Sequence, residues 1–211
     1  GEVIRRVPLP GAGTASGPVE RPDGGPVAWF VYTDNTTVPH IYSYDGRTGE
    51  VALSAAPPGV VEVPRVHSQQ VVATSADGTP VRMLIVSPTE QPDRPRPTVL
   101  YGYGGFGIPL MPGYSAAILA WVEAGGVWAV ANLRGGGEEG EEWHRDGMLE
   151  RKQNVYDDFH ACAGYLSAQG WTTPERLAVY GGSNGGLLVG AAMTQRPDLF
   201  NAVVCTAPLL D

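Results

Sequence analysis

The stretch Gly181-Gly182-Ser183-Asn184-Gly185-Gly186 constrains this chain more than any other. It stands between an apolar β-type run, Leu177-Ala178-Val179-Tyr180, and a helix-type run from Leu187 to Gln195. Strand, Gly-x-Ser-x-Gly, helix is the order of a nucleophile elbow, a sharp turn that lifts a serine hydroxyl above the end of a sheet. A serine hydroxyl is a weak nucleophile at neutral pH and needs both clear space and a base. Small residues at Gly181 and Gly185 let strand and helix pass close beneath it. The helix that follows directs its partial positive charge at a developing oxyanion. Glycine supplies 29 of 211 residues, so the alternative is a chance match in which these glycines serve only helix–sheet packing.

The remainder of the chain can supply the fold that such an elbow needs. It is 43% hydrophobic and 17% charged, a globular composition with enough apolar material for a core. A net charge of −8 argues against nucleic acid or an anionic membrane as a partner. No apolar run approaches the roughly 20 residues of a membrane span, and the start has no basic-then-apolar signal pattern. Cys162 and Cys205 are read as buried free thiols rather than a disulfide, which fits a reducing, cytoplasmic compartment. The chain opens on Gly1, not methionine, and we read it as a piece of a longer protein.

Two textures divide it. Residues 1–66 hold short β-type runs at Val27–Thr33, His40–Tyr44 and Glu50–Leu53, with Asp45-Gly46 and Thr48-Gly49 marking a hairpin. This all-β piece is too small to bury much core by itself. Residues 67–211 alternate strands and helices, the pattern of an α/β domain with a mostly parallel sheet. Strands are expected at Gln70–Thr74, Val81–Val86, Thr98–Tyr101, Gly126–Asn132, 177–180 and Ala202–Thr206, and helices over Tyr114–Ala124 and 186–195. A further helix is expected with Asn154 as N-cap, Asp157 and Asp158 in its first turn and Gly170 after its end. Val155, Phe159, Cys162, Ala163 and Leu166 form its apolar face. The resulting fold class is a partial α/β-hydrolase preceded by a short all-β segment.

Several segments, in this order, resemble the prolyl oligopeptidase family of serine peptidases. They are Tyr101-Gly102-Tyr103-Gly104-Gly105-Phe106, Val130-Ala131-Asn132-Leu133-Arg134-Gly135-Gly136-Gly137-Glu138, Lys152-Gln153-Asn154 with Asp157-Asp158-Phe159, the elbow itself, and Gln195-Arg196-Pro197-Asp198-Leu199-Phe200. The resemblance implies that residues 1–66 are the end of a β-propeller and residues 67–211 the first part of a peptidase domain. It also implies roles. Ser183 is the nucleophile; the Asn184 backbone N–H and the Tyr103 hydroxyl are oxyanion donors; Phe106 and Asn184 border the pocket for a substrate proline. A phenol suits the oxyanion role because it is a neutral donor at pH 7. Core packing beside a tight turn is the other reading of Tyr103 and Phe106. The expected partners are short proline-containing peptides. No cofactor or metal is expected.

In α/β-hydrolases the acid and then the histidine follow the serine along the chain. Here His40, His67, His144 and His160 all precede Ser183, and Asp211 ends a strand earlier than the family acid. His160 is read as a solvated surface residue, and His144 as part of a solvated acidic loop with Glu138, Glu139, Glu141, Glu142 and Asp146, without metal-ligand spacing. The triad acid and base are therefore expected in a missing C-terminal part, and the chain alone is expected to be inactive. Rival readings are an oligopeptidase of other specificity, an esterase, a hydrolase-like binding module, and a dinucleotide-binding domain. The last rests on Gly102, Gly104 and Gly107 as Gly-x-Gly-x-x-Gly. It fits poorly, because Pro109 and Pro112 separate these glycines from the next helix.

Overall fold

Alternating residues on a strand face opposite ways, so a strand with one apolar set packs on one side only. The computed structural model, which describes residues 2–59 and 62–210, shows this pattern in two separate units. One unit comprises Gly1–Pro64 with Met111–Ala116, and the other Arg65–Leu110 with Ala117–Asp211. Against a single cut near residue 66, the short segment Met111–Ala116 thus belongs with the N-terminal unit.

The first unit contains β1 (Thr14–Ala15), β2 (Val19–Glu20), β3 (Val27–Thr33), β4 (His40–Asp45) and β5 (Val51–Ala55). Its antiparallel sheet runs β1-β3-β4-β5, with β2 also on β3, the form of a propeller blade. Phe30 and Tyr42 are register partners and stack with ring centroids 5.8 Å apart. Tyr32, almost fully buried, donates its hydroxyl to Asp34 Oδ2 at 2.8 Å. Burial and the neighbouring carboxylate push the Tyr32 phenol up to about 12. The expected hairpin forms between β4 and β5, where Gly49 takes φ +80° and donates to Asp45 O at 2.7 Å.

The second unit contains β6 (His67–Thr74), β7 (Pro80–Ser87), β8 (Thr98–Gly102), α1 (Ala116–Glu123), β9 (Val127–Ala131), α2 (Glu141–Arg145), α3 (Gln153–Ala168), β10 (Leu177–Gly182), α4 (Asn184–Gln195) and β11 (Ala202–Thr206). Its sheet has the order β11-β10-β8-β9-β7-β6. Strands β8 to β11 pair in parallel, and β7 and β6 add antiparallel at one edge. The chain runs from β8 to β9 on one side and then crosses back to β10 on the other. Loops leaving the carboxyl ends of β8 and β10 are therefore neighbours, the place where open α/β sheets form a ligand crevice.

Helix α3 forms because its apolar residues recur at helical spacing: Val155, Phe159, Cys162, Ala163 and Leu166 are all buried. They join Met83, Ile85, Leu100, Ala129 and Val179 from the sheet and Leu188 from α4 in one core. Each large side chain so buried contributes about 1.5–3 kcal/mol. At the end of α3, Gly170 (φ +81°) donates to Ser167 O at 3.1 Å and Trp171 N to Leu166 O at 3.0 Å. That pair is a Schellman stop, and both Leu166 and Trp171 are buried.

The start of α3 differs from expectation. Asn154 lies inside the helix, and its amide donates to Asp146 O at 2.8 Å rather than capping the N-terminus. Because the helix begins at Gln153, neither Asp157 nor Asp158 lies in its first turn, and Asp158 is fully buried. The loop from Arg134 to Gly147 contains the short helix α2. Of the two thiols, Cys162 is buried, which raises its pKa, whereas Cys205 on β11 is exposed; both are free. Among the described residues no helix is long and apolar enough to cross a membrane. Asp211 lies outside the described residues.

Candidate active site

Ser183 leaves the end of β10 with φ 55° and ψ −118°, a conformation that L-residues rarely adopt. Such strain costs on the order of 1–3 kcal/mol and persists only where surrounding structure enforces it. The enforcement is visible. Ser183 N donates to Thr206 O on β11 at 3.0 Å, and Ser183 O accepts from Gly186 N at 2.9 Å and from Leu209 N at 3.3 Å. A side chain at Gly181 would collide with Gly185 O, and one at Gly185 would lie 2.6 Å from Gly102 O. Strand, turn and helix are thus pressed together and the serine is turned outward, exposed to solvent. Ser183 N–H is engaged by β11, whereas Asn184 N–H, the first of α4, has no intrahelical acceptor.

Positive φ at non-glycine residues recurs around this point. Among the described residues Phe106 (56°), Leu149 (52°), Ser183 (55°) and Ala207 (41°) show it. Phe106, Ser183 and Ala207 lie beyond the carboxyl ends of β8, β10 and β11. Phe106 is 68% exposed, a bulky aromatic held in solvent on a strained turn.

The glycine loop after β8 is fixed from several directions. The Asn184 side chain, only 4% exposed, donates its amide to Tyr103 O at 2.6 Å. It is a tether between α4 and the loop. Lys152 Nζ donates to Gly104 O at 2.8 Å, and burial lowers the Lys152 pKa. Gly107 N donates to Gly135 O at 2.9 Å, and Ile108 N to Gly105 O at 3.1 Å. Tyr103 therefore sits on a backbone whose next carbonyls are all anchored. Helix α1 starts only at Ala116, so no helix N-terminus follows Gly107 as a pyrophosphate cradle requires.

Sequence reading missed a buried ionic cluster behind this loop. Arg134 Nη2 and Nε donate to Asp158 Oδ1 at 2.6 and 3.1 Å, and its backbone N to Oδ2 at 3.1 Å. Arg134 Nη1 reaches Asp77 Oδ2 at 2.6 Å, and Ser75 Oγ donates to Asp158 Oδ1 at 2.6 Å. The Arg134 hydrogen bond holds the Asp77 carboxyl well below the usual carboxylate range. The cluster pins the segment that supplies Gly135 O to the glycine loop. The one available signal was an arginine in an otherwise small-residue stretch, Arg134-Gly135-Gly136-Gly137.

The histidines are placed elsewhere. His144 Nδ1 lies 2.8 Å from Gly135 O, to which the ring donates in that tautomer. His160 is not a solvated surface residue: it packs beside Phe200 (centroids 6.3 Å apart), and its Nε2 is buried. Burial, then Arg196, lowers its pKa. Among the described residues no side chain hydrogen-bonds the Ser183 hydroxyl. A cleft lined by Arg94, Arg96, Gly125 and Arg176 opens at the amino ends of the strands, the sheet edge opposite Ser183.

Comparisons with known proteins place this arrangement. The prolyl oligopeptidase family profile matches residues 112–211. The chain is 41% identical to a prolyl endopeptidase of Elizabethkingia meningoseptica over 216 positions, covering 100% of this chain and 30% of that protein. It is 35% identical to a prolyl endopeptidase of Dictyostelium discoideum, over 100% of this chain and 28% of that one. A solved structure from a study of two prolyl endopeptidases superimposes with a TM-score of 0.91 at 51% identity, covering 99% of this chain and 31% of that one. Oligopeptidase B from Trypanosoma brucei superimposes at 0.79, with 38% identity over 85% of this chain and 26% of that one. The chain thus spans roughly a third or less of the length of these relatives. With its elbow, its anchored glycine loop and these matches, the chain belongs to the prolyl oligopeptidase family.

Proposed function

We propose that this chain carries the nucleophile and oxyanion elements of a serine peptidase that hydrolyses short peptides after proline. Ser183 Oγ attacks the scissile carbonyl carbon as its proton passes to a base. The C–N bond then breaks, the amine leaves with that proton, and water later cleaves the acyl-enzyme ester. The Asn184 N–H and the Tyr103 hydroxyl hold the oxyanion of both tetrahedral intermediates. Phe106 contributes an apolar surface for the proline ring. No histidine follows Ser183 in these 211 residues, so the reading requires a base and its acid partner from outside them.

The observation that carries the proposal is the exposed Ser183 at positive φ between β10 and α4, next to the glycine loop. The test uses the full-length protein with peptides bearing proline or arginine before the scissile bond, and with a simple acyl ester. Proline peptides should be cleaved fastest, and Ser183→Ala should abolish both turnover and fluorophosphonate labelling. Preference for arginine would reassign the specificity. Ester cleavage without peptide cleavage would make the protein an esterase, and turnover retained in Ser183→Ala would refute the nucleophile.

A further inference from the structure

Lys152 is the cation that the peptidase chemistry leaves unexplained. It caps the start of α3, directly after the short 3₁₀ turn Leu149–Arg151, whose first residue holds the strained φ of 52°. A branched residue pays no such strain on an exposed turn without a reason in the surrounding structure, and Leu149 is 74% exposed. The turn closes through Lys152 N donating to Leu149 O at 3.1 Å and brings the Lys152 side chain inward. Its ammonium meets Gly104 O at 2.8 Å and, among the described residues, forms no ion pair. A partly buried ammonium without a carboxylate is costly, and one hydrogen bond to a neutral carbonyl offsets little of that cost.

The target of that bond is informative. Gly104 O is the carbonyl next after Tyr103 O, and Tyr103 O is held by Asn184 at 2.6 Å. Two consecutive carbonyls are thus gripped by donors from two different places, the residue before α3 and the first residue of α4. A hydrogen bond to a carbonyl resists rotation of its peptide plane, so the two planes that follow Tyr103 Cα are both held, and with them the loop that carries this side chain. An oxyanion donor loses its advantage when its carrier is free to reorient, because the benefit comes from donors held in place before reaction.

We propose that Lys152 is a positioning residue for the oxyanion hole, acting through the Gly104 carbonyl on the loop that carries Tyr103. The proposal rests on the reading of Ser183 and Tyr103 given above. It assigns Lys152 no contact with substrate. Removal of the ammonium should therefore weaken transition-state stabilisation while leaving ground-state peptide binding in place.

The test is a double-mutant cycle in the full-length peptidase, with Lys152→Met, Lys152→Arg and Tyr103→Phe. Lys152→Met should lower kcat by about tenfold with KM changed less than about twofold, and Lys152→Arg should recover most of the loss. In the Tyr103→Phe background, Lys152→Met should cost less than about twofold more, because both act through one donor. Multiplicative losses, a change confined to KM, or unaltered kcat would overturn the proposal. Amide exchange in the same protein gives a readout independent of activity. Lys152→Met should speed exchange at Gly107 and Ile108 by about tenfold or more while the α3 core amides of Phe159 and Leu166 keep their protection. Unchanged exchange at Gly107 and Ile108 overturns the tether, and so does uniform loss of protection if Lys152→Arg shares it. If Tyr103→Phe alone leaves turnover intact, the oxyanion role of Tyr103 fails, and the exchange result still decides whether Lys152 holds the loop.

Discussion

The side-chain amide of Asn184 donates to the backbone carbonyl of Tyr103 across 2.6 Å, joining the first turn of the helix behind the serine to the loop after β8. These residues are far apart in sequence yet are joined directly, and the buried amide finds its hydrogen-bond partner in that carbonyl. Asn184→Ala should leave Tyr103 O without this partner, at a cost of about 1–3 kcal/mol. We expect a lower Tm and, in the full-length peptidase, a fall in kcat that exceeds any rise in KM. Equal kcat in wild type and variant would show that the tether is dispensable for chemistry.

Tyr103→Phe removes a hydroxyl and nothing else from the loop. One oxyanion donor is worth about 10²–10³-fold in kcat, so the full-length enzyme should slow by that factor with its fold intact. A loss under about threefold, measured with a proline peptide, would place the phenol outside the oxyanion hole.

The 211-residue chain by itself should show little fluorophosphonate labelling at Ser183. The strained elbow is present, but His144 is engaged at Gly135 O and His160 packs beside Phe200. Strong labelling of the pure chain, abolished by Ser183→Ala, would mean that a base is supplied from within these residues.

Asp158→Ala leaves the Arg134 guanidinium, 4% exposed, without its buried partner. Breaking a buried pair in this way costs about 3–5 kcal/mol, a large part of the stability of a domain. Denaturant unfolding should show a loss of that size. Asp77→Asn should cost much less, because Asp77 is 49% exposed and solvent screens its bond to Arg134. The Asp77 pKa is lowered in the folded state, so its contribution is complete above its ordinary value near 3.8 and fades only as pH falls through the depressed one.

His160 should make stability pH-dependent in a higher window. Its folded pKa lies below the ordinary 6.5, through burial first and Arg196 second. The unfolded chain then binds the proton more readily, so stability is complete above 6.5 and declines as pH falls from there toward the folded pKa. Asp157 opposes the shift. Tm measured from pH 7.5 down to about 5.5 should fall, and His160→Gln should flatten part of that slope. An identical slope in the variant would assign the dependence to other groups.

The elements whose signals are local were legible in the sequence. Strands β3 and β11 have their expected limits, the α3 core face is the one its spacing indicates, and Gly170 ends that helix. The elbow was legible too, since glycine, serine and strand-to-helix order are all contiguous. Misreadings arose where a side chain's partner lies far along the chain. Asn154 has the chemistry of an N-cap, but Asp146 O was the better acceptor. Asp158 looked like a first-turn acid until Arg134 and Ser75 enclosed it. His160 fell on a face that looked polar because nothing local reveals that Phe200 covers it.

The sequence by itself determined that a serine would stand at a bend between strand and helix, because that geometry depends on steric limits of neighbouring residues. Only the tertiary structure decided which distant groups hold the glycine loop beside it: Asn184 on Tyr103, Lys152 on Gly104 and Gly135 on Gly107. Hydrogen bonds between segments depend on how strands order themselves in the sheet, and the crossing from β9 back to β10 is what makes these two loops neighbours.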